Sequence, residues 1–242
     1  MMKKIENAEI IYGRNPVREA LMANRVLSVY LSNTFSDKVF IKELREKNVQ
    51  ITIKSQKELS QMVDGAHQGI IAYVKRYEYF SLEDILRDSK KKKYPIIVIL
   101  DEINDPHNLG AIMRSCDIFD VSGIIVKKRN QVLLNSTVAK TSAGAINYVK
   151  VCQVHNLANT LDVLKKEGFW VVSADGSAKT NYRDLKYDFP TALIIGNEGK
   201  GISRLLLDKS DYVVKIPMHG KINSLNASNA AAILLSNIDK DN

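Results

Sequence analysis

Residues 101–120, DEINDPHNLGAIMRSCDIFD, combine several side chains that could bind or activate a substrate. Between Asp105 and Arg114 they offer a carboxylate, an imidazole, an amide, one glycine and an arginine. The stretch follows the apolar run YPIIVIL and precedes SGIIV, which is typical of a strand, loop and helix in an α/β nucleotide-binding unit. It lacks the glycine-rich loop that binds phosphate, so these residues indicate a polar site of another kind.

Two further loops are also polar and contain glycine. GNEGKG (196–201) follows the apolar run ALII, and PMHGKINSLNAS (217–228) follows YVVKI. Either loop alone would be an ordinary turn or helix cap. Because ligands of open parallel sheets bind beyond the carboxyl ends of the strands, the three loops together predict one shared site. Their backbone donors and acceptors favour a ligand that is bound through its own adenine ring and polar edges and not through a phosphate.

Several other kinds of site are excluded by the residues that they would need. The chain has no GxGxxG, GxxxxGK[ST], HExxH or CxxC motif, which argues against a dinucleotide-dependent oxidoreductase, a P-loop enzyme and a zinc site. The four histidines (His67, His107, His155 and His219) show no metal-ligand spacing, so no metal is expected. We interpret Cys116 and Cys152 as packing residues.

Hydrophobic periodicity predicts two domains. Helical and strand patterns alternate over residues 1–76 and predict a small α/β sandwich. Residues 77–94 have less apolar weight and end in a lysine run, so we interpret them as a linker with one or two helical turns around SLEDILRD. Residues 95–242 contain near-continuous Val/Ile/Leu strands joined by helices, which predicts a parallel sheet covered on both faces.

The chain is basic, with a formal charge of +8. Basic residues exceed acidic ones by six in residues 1–94 and by two in residues 95–242, and this balance favours a nucleic-acid partner. Four of those six charges are the lysines at 90–93, which we interpret as a solvated segment. No apolar run is long enough to span a bilayer and the first residues lack a signal-peptide pattern, so we expect a cytoplasmic protein without a membrane partner.

The three loops also carry a family resemblance. NDPHNLGAIMRS, IIGNEGKGIS and IPMHGKINSLNASNAAAILL resemble, in order and spacing, the three motifs of the SpoU/TrmH branch of the SPOUT RNA methyltransferases. With IYGRNPVREAL and DGAHQGIIAYV in front, the chain is similar to large-subunit rRNA guanosine ribose methyltransferases that have an N-terminal RNA-binding domain. The resemblance implies a C-terminal SPOUT domain with a deep trefoil knot, and an N-terminal domain like certain ribosomal proteins.

The resemblance also implies a reaction and its site. S-adenosylmethionine would supply a methyl group to a ribose 2′-hydroxyl in RNA. The nearest resemblance favours the ribose of a guanosine in large-subunit rRNA. The cofactor would lie against Gly196, Ile216 and Leu225. Arg114 would hold an RNA phosphate and stabilise the developing alkoxide, because a guanidinium stays protonated and is a poor general base. The supporting catalytic residues implied by the motifs are Asn108, Glu198, Ser224 and Asn226.

RNA contact and dimerisation are further expectations from the resemblance. The candidate RNA-binding residues of the N-terminal domain are Arg14, Asn15, Arg18, His67 and Gln68. A homodimer is implied because related enzymes complete the site across a twofold axis. Two alternatives stay open: methylation of a tRNA ribose or of an rRNA adenosine, and a non-catalytic RNA-binding protein that assists ribosome assembly.

Overall fold

The protein is described here from a computed structural model, which covers residues 8–221 and 224–239. The chain divides into two compact units, Met1–Tyr77 and Glu78–Asn242. In the part described, no helix is both long and apolar enough to cross a membrane.

The first unit is a four-stranded sheet with helices, as the alternating pattern predicted. Its elements are β1 (Ala8–Tyr12), α1 (Arg14–Met22), β2 (Val26–Ser32), α2 (Lys38–Glu46), β3 (Gln50–Lys54), α3 (Gln56–Ser60) and β4 (Ile70–Lys75). The strand order is β1-β4-β2-β3; β4 is antiparallel to both neighbours and β2 is parallel to β3. Residues of α1 and α2, such as Val17 and Phe40, pack on one face of this sheet and form its core.

The second unit is built on a seven-stranded sheet. Its elements are α4 (Leu82–Ser89), β5 (Ile96–Asp101), α5 (Pro106–Ile118), β6 (Gly123–Lys127), α6 (Ser136–Thr141), a 3₁₀ turn (Ala145–Asn147), β7 (Val151–Val154), α7 (Leu157–Lys166), β8 (Trp170–Ala174), β9 (Thr180–Asn181), β10 (Thr191–Gly196), α8 (Arg204–Asp208), β11 (Tyr212–Lys215) and α9 (Ala227–Asp239). The strand order is β7-β6-β5-β10-β8-β11-β9, and every pairing is parallel.

Strand β5 shows why this sheet lies between two helical layers. Successive residues of a strand point to opposite faces, and all six residues of β5 are buried. Val98 and Leu100 pack in the cluster that contains residues of α5 and α9. Ile97 and Ile99 pack in the cluster that contains residues of α4, α7 and α8. The prediction of a parallel sheet covered on both faces is therefore confirmed.

The segment interpreted as a linker needs a correction. Residues 78–94 belong to the second unit, because α4 buries Ile85 and Leu86 in one of its two cores. A capping box of Ser81 and Asp84 starts this helix. Every lysine of the run has a partner in the second unit, while the side chains of Lys90 and Lys91 stay 70% and 71% exposed, as expected of a solvated segment. Lys90, Lys91 and Lys92 pair with Glu167, Asp88 and Asp120, and Lys93 lies over the ring of Tyr94.

Gly110 in α5 has a packing role. A methyl group at this position would lie 1.8 Å from the hydroxyl oxygen of Thr141 in α6. The single glycine of the first polar stretch therefore allows two helices to approach closely and does not shape a phosphate-binding loop. Asp105 caps α5 by accepting a hydrogen bond from the His107 backbone at 2.8 Å, and Pro106 occupies the first turn.

Candidate active site

The three polar loops meet at one edge of the large sheet. Strands β5 and β10 are parallel neighbours and end opposite each other at Asp101 and Gly196. Strands β8 and β11 end at the same edge because they run in the same direction. The expectation that these loops form one shared site agrees with this topology.

A chain of side-chain hydrogen bonds joins the three loops. The amide nitrogen of Asn226 donates to the amide oxygen of Asn108 at 2.8 Å. The amide nitrogen of Asn108 in turn donates to a carboxylate oxygen of Glu198. The oxygen of Asn226 also accepts a hydrogen bond from the backbone N–H of Ser228 at 2.9 Å, at the start of α9. Each of the three residues therefore holds a loop in place.

A pocket of about 160 Å³ lies beside this chain of hydrogen bonds. The predicted cofactor-binding residues Gly196, Ile216 and Leu225 all line it, as do the predicted catalytic residues Glu198 and Ser224. The other lining residues are Ala174, Asp175, Gly176, Ile195, Asn197, Gly201, Val214, Met218, Ala227 and Ala230. The pocket thus combines aliphatic walls, glycine backbone and two carboxylates.

The loop after β10 folds back tightly on Gly196. A methyl group at Gly196 would lie 2.4 Å from the carbonyl carbon of Gly201, a contact that backbone atoms cannot accommodate without moving. Asn197 and Gly201 exchange two backbone hydrogen bonds, of 3.2 and 2.8 Å. The side-chain oxygen of Asn197 also accepts hydrogen bonds from the backbone N–H groups of Gly199 and Lys200. The glycine at 196 is therefore required by the shape of the loop.

A buried ion pair supports the base of the same loop. Asp101, which is 2% exposed, accepts a hydrogen bond from the Ser203 backbone at 2.8 Å and lies 2.9 Å from the ammonium group of Lys127. Burial raises the pKa of Asp101, but the hydrogen bonds from Lys127 and Ser203 outweigh it and the pKa lies below its ordinary value. Burial likewise lowers the pKa of Lys127, and its contacts with Asp101 and Glu102 raise it overall.

Arg114 lies outside this group of contacts. It is exposed on α5, it does not line the pocket, and it has no hydrogen-bond or ion-pair partner among residues 8–221 and 224–239. His107 is seven residues, about two helical turns, before it and shares its face of the helix. Ile118, one turn further on, shares this face and is 66% exposed. Glu198 bonds to Asn108 and not to Arg114.

In the first unit, two of the candidate RNA-binding residues lie together. The side-chain oxygen of Gln68 accepts a hydrogen bond from the Arg14 backbone at 2.9 Å, and both residues are exposed. Asn15 is exposed beside Arg14. The Arg14 guanidinium lies 5.1 Å from the centre of the Phe35 ring. These residues present polar groups to solvent.

The other two candidates serve the structure of the first unit. His67 is 5% exposed, and its ring nitrogens bond to the Gly69 backbone at 3.1 Å and to the Ser60 hydroxyl at 3.2 Å. Arg18 lies within 3.3 Å of Asp37 and 3.5 Å of Glu43. His67 therefore orders the turn that carries Gln68, and its contact with RNA stays a prediction. Arg18 is committed to two acidic partners.

Several residues of the site were not predicted from the sequence. Asp175 and Met218 line the pocket, and Asp101 with Lys127 supports it. Asp101 could have been noticed, because it is the one charged residue at the end of an otherwise apolar strand. Asp175 follows β8, which ends at the same edge of the sheet, but the loop after β8 was not among the three that were singled out.

Comparisons with known proteins agree with this architecture. Residues 95–236 match the model of the SpoU rRNA Methylase family. Residues 10–80 match a model described as RNA 2′-O ribose methyltransferase substrate binding. Over 232 residues the chain is 43% identical to YacO of Bacillus subtilis (strain 168), named as a TrmH family tRNA/rRNA methyltransferase, covering 94% of this chain and 93% of that protein. A TrmH family tRNA/rRNA methyltransferase of Staphylococcus aureus (strain COL) is 40% identical over 231 residues, covering 93% of each chain.

Solved structures show the same fold. The SpoU methyltransferase AviRb from Streptomyces viridochromogenes, in complex with the cofactor AdoMet, superposes with a TM-score of 0.73 at 23% identity, over 97% of this chain and 90% of that one. The A. aeolicus TrmH/SpoU tRNA modifying enzyme superposes with a TM-score of 0.56 at 30% identity, over 66% of this chain and 80% of that one.

The two matched models together define an RNA 2′-O-ribose methyltransferase whose substrate-binding unit precedes its catalytic unit in the sequence. The chain belongs to the SpoU rRNA methylase family.

Proposed function

We propose that this enzyme uses S-adenosylmethionine to methylate the ribose 2′-hydroxyl of a guanosine in large-subunit rRNA, in the cytoplasm. The observation that carries the methyl-transfer proposal is the pocket itself. It is lined by the second and third motif loops and by the loop after β8, and Asn108 of the first motif bonds to both of those motif loops beside it. The guanosine and the rRNA rest on the resemblance of the whole chain to enzymes with that target.

The lining of the pocket fits the proposed cofactor. Ile195, Val214, Ile216 and Leu225 offer flat aliphatic contact to an adenine ring, and the glycine backbone at 196 can approach it closely. The carboxylate of Glu198 offers an acceptor for hydroxyl or ammonium groups. The cofactor supplies an activated methyl group, so the reaction requires no metal ion. Among the residues described, no group of three or more His, Cys, Asp or Glu side chains could hold one.

The roles of the remaining site residues follow from their positions. Asn108, Glu198 and Asn226 keep the three loops in register, so that the cofactor and the ribose would meet in a fixed geometry. Ser224 would close the edge of the pocket that it lines. Arg114 would hold an RNA phosphate and stabilise the alkoxide that forms as the ribose hydroxyl loses its proton.

The position of Arg114 supports a homodimer. The side chain does not reach the pocket of its own chain, and Ile118 on the same helical face is a large apolar residue exposed to solvent. A second copy packed on this face would bury Ile118 and could bring each Arg114 to the other chain's pocket. Size-exclusion chromatography with light scattering would measure this association, and Ile118→Lys is expected to weaken it.

RNA binding by the first unit would involve Arg14, Asn15 and Gln68. They are exposed side by side, and the guanidinium and amide groups suit phosphate and base edges of structured RNA. Arg18 would contribute mainly by holding α1 against α2 through Asp37 and Glu43.

One experiment tests the target directly. Ribose methylation is mapped across rRNA and tRNA from a strain that lacks this gene and from the same strain complemented with it. We expect one rRNA guanosine to lose its methyl group in the first strain and regain it in the second. Loss and recovery of a methyl group at an adenosine or in tRNA would show that the target is different from the one proposed, while the reaction is ribose methylation as proposed. No change at any ribose, together with no binding of S-adenosylmethionine, would favour a non-catalytic assembly factor.

A further inference from the structure

The pocket is acidic. Asp175 and Glu198 are the charged residues of its described lining, and neither lysine nor arginine is among them. Glu198 is bonded to Asn108 and so belongs to the chain that fixes the loops. Asp175 stands apart from that chain, which leaves its carboxylate without an assigned role.

One oxygen of Asp175 is held by its own turn and the other is free. Oδ1 accepts hydrogen bonds from the Ser177 backbone at 2.8 Å and from the Ser177 hydroxyl at 2.5 Å. Oδ2 has no partner among the residues described. A methyl group built on Gly201, which also lines the pocket, would lie 4.0 Å from this oxygen. The free oxygen therefore lies on the side of the pocket that Gly201 borders.

The proposed cofactor and its product differ by one charge. Methyl transfer converts a positively charged sulfonium into a neutral thioether, while the ammonium and carboxylate of the amino-acid tail are unchanged. A fixed negative charge in a pocket that is partly shielded from water therefore interacts more favourably with the donor than with the product. A group that bonded only to the ribose or to the tail would stabilise both ligands equally.

We propose that Asp175 makes the pocket selective for the cationic methyl donor over the neutral thioether product, and thereby promotes exchange of product for donor after each turnover. This inference rests on the proposed use of S-adenosylmethionine. At an effective dielectric constant of about 20, one such charge changes relative affinity on the order of ten-fold once solvent screening is allowed for.

The test is a binding measurement on the full-length protein. Isothermal titration gives the affinities of wild type and Asp175→Asn for S-adenosylmethionine, S-adenosylhomocysteine and sinefungin, which carries an ammonium in place of the sulfonium. We expect Asp175→Asn to weaken the two cationic ligands by about five-fold or more and the neutral product by less than about two-fold. The difference should shrink as salt is raised.

Two variants serve as controls. Asp175→Glu keeps the charge and should keep most of the preference for the donor. Asp208→Asn removes an exposed charge from α8, outside the pocket, and should leave the ratio of affinities unchanged. Retained binding of S-adenosylhomocysteine by Asp175→Asn would show that the variant is folded.

Two results would overturn the inference while leaving the proposed function intact. In one, Asp175→Asn weakens donor and product equally, which would assign the carboxylate to the ribose or the tail. In the other, it changes neither affinity. A wild-type protein that binds neither S-adenosylmethionine nor its product would instead overturn the proposed function, and the inference with it.

Discussion

The two ends of α5 differ in how far their polar side chains are buried and bonded within the described part of the chain. Its first turn is enclosed: Asn108 is buried and bonded on both sides, to Asn226 and to Glu198. Two turns later Arg114 is exposed and has no partner in the part of the chain described. The first region is preorganised by the fold of a single chain. The second presents a charge to solvent, and we propose that RNA and a second subunit contact it.

Removing Arg114 is expected to have the largest effect, because nothing else on its face of α5 can replace a guanidinium. Arg114→Ala should raise the barrier to methyl transfer by at least about 2.7 kcal/mol, the scale of losing one donor that stabilises an anion. It should leave the affinity for S-adenosylmethionine unchanged, since Arg114 does not line the pocket. Single-turnover methylation and titration calorimetry measure the two quantities.

Arg87→Ala is the control, because it removes an exposed arginine from α4, in the other helical layer. Near-wild-type single-turnover methylation by Arg114→Ala would show that the exposed Arg114 on α5 has no part in the reaction.

The enclosed first turn of α5 contacts the loop after β10 through Asn108 and Glu198, and this loop is tested most directly at Gly196. Gly196→Ala forces a methyl group against the Gly201 backbone, and overpacking of this kind costs about 1–3 kcal/mol. We expect a lower melting temperature and weaker cofactor binding. Gly199→Ala is a matched control in the same loop, because its methyl group would only meet the Asn197 side chain at 3.5 Å. Equal effects of the two substitutions would contradict the close approach at Gly196.

The coupling between the loops is tested by a double-mutant cycle. Asn108→Ala and Asn226→Ala each break the hydrogen bond between them, so their effects on cofactor affinity should not add. We expect a coupling energy of about 1 kcal/mol, the size of one net hydrogen bond. Additive effects on affinity would show that the amide chain does not link the first and third motifs energetically.

The smallest expected effect concerns the ion pair below the loop. Asp101→Asn keeps the shape of the side chain and one oxygen that can accept the hydrogen bond from the Ser203 backbone. Lys127 keeps its ion pair with Glu102. The free energy of unfolding should therefore fall by about 1 kcal/mol. The pKa of Asp101 is lowered in the folded protein, so its contribution is present above the ordinary value of 3.8 and is lost as pH falls through the folded value.

The pKa of Lys127 is raised, so its contribution is present below the ordinary value of 10.5 and is lost as pH rises through the folded value. Denaturant unfolding of wild type and Asp101→Asn across pH should therefore show a constant difference between about pH 5 and 9 that declines at lower pH. A difference that grows under acid would contradict the lowered pKa.

The predicted parts of the fold were those that depend on local pattern. Apolar runs such as PIIVIL indicated buried parallel strands. The segment before Tyr94 was interpreted as a linker because its few apolar residues are diluted by charge. Ile85 and Leu86 are nevertheless buried, and two of the lysines, Lys90 and Lys92, pair with Glu167 and Asp120, which are far away in sequence. The trefoil knot stays a prediction from the resemblance.

The sequence by itself determined which residue types stand at the ends of the strands, and therefore that the three motif loops form one polar edge. It could not show that Asn108 links Glu198 to Asn226, that His67 is buried, or that Asp175 and Asp101 belong to the site. Those facts depend on contacts between residues up to 118 positions apart, which no local pattern encodes. Only the tertiary structure decided them, because burial and hydrogen bonding are set by the neighbours that folding brings together.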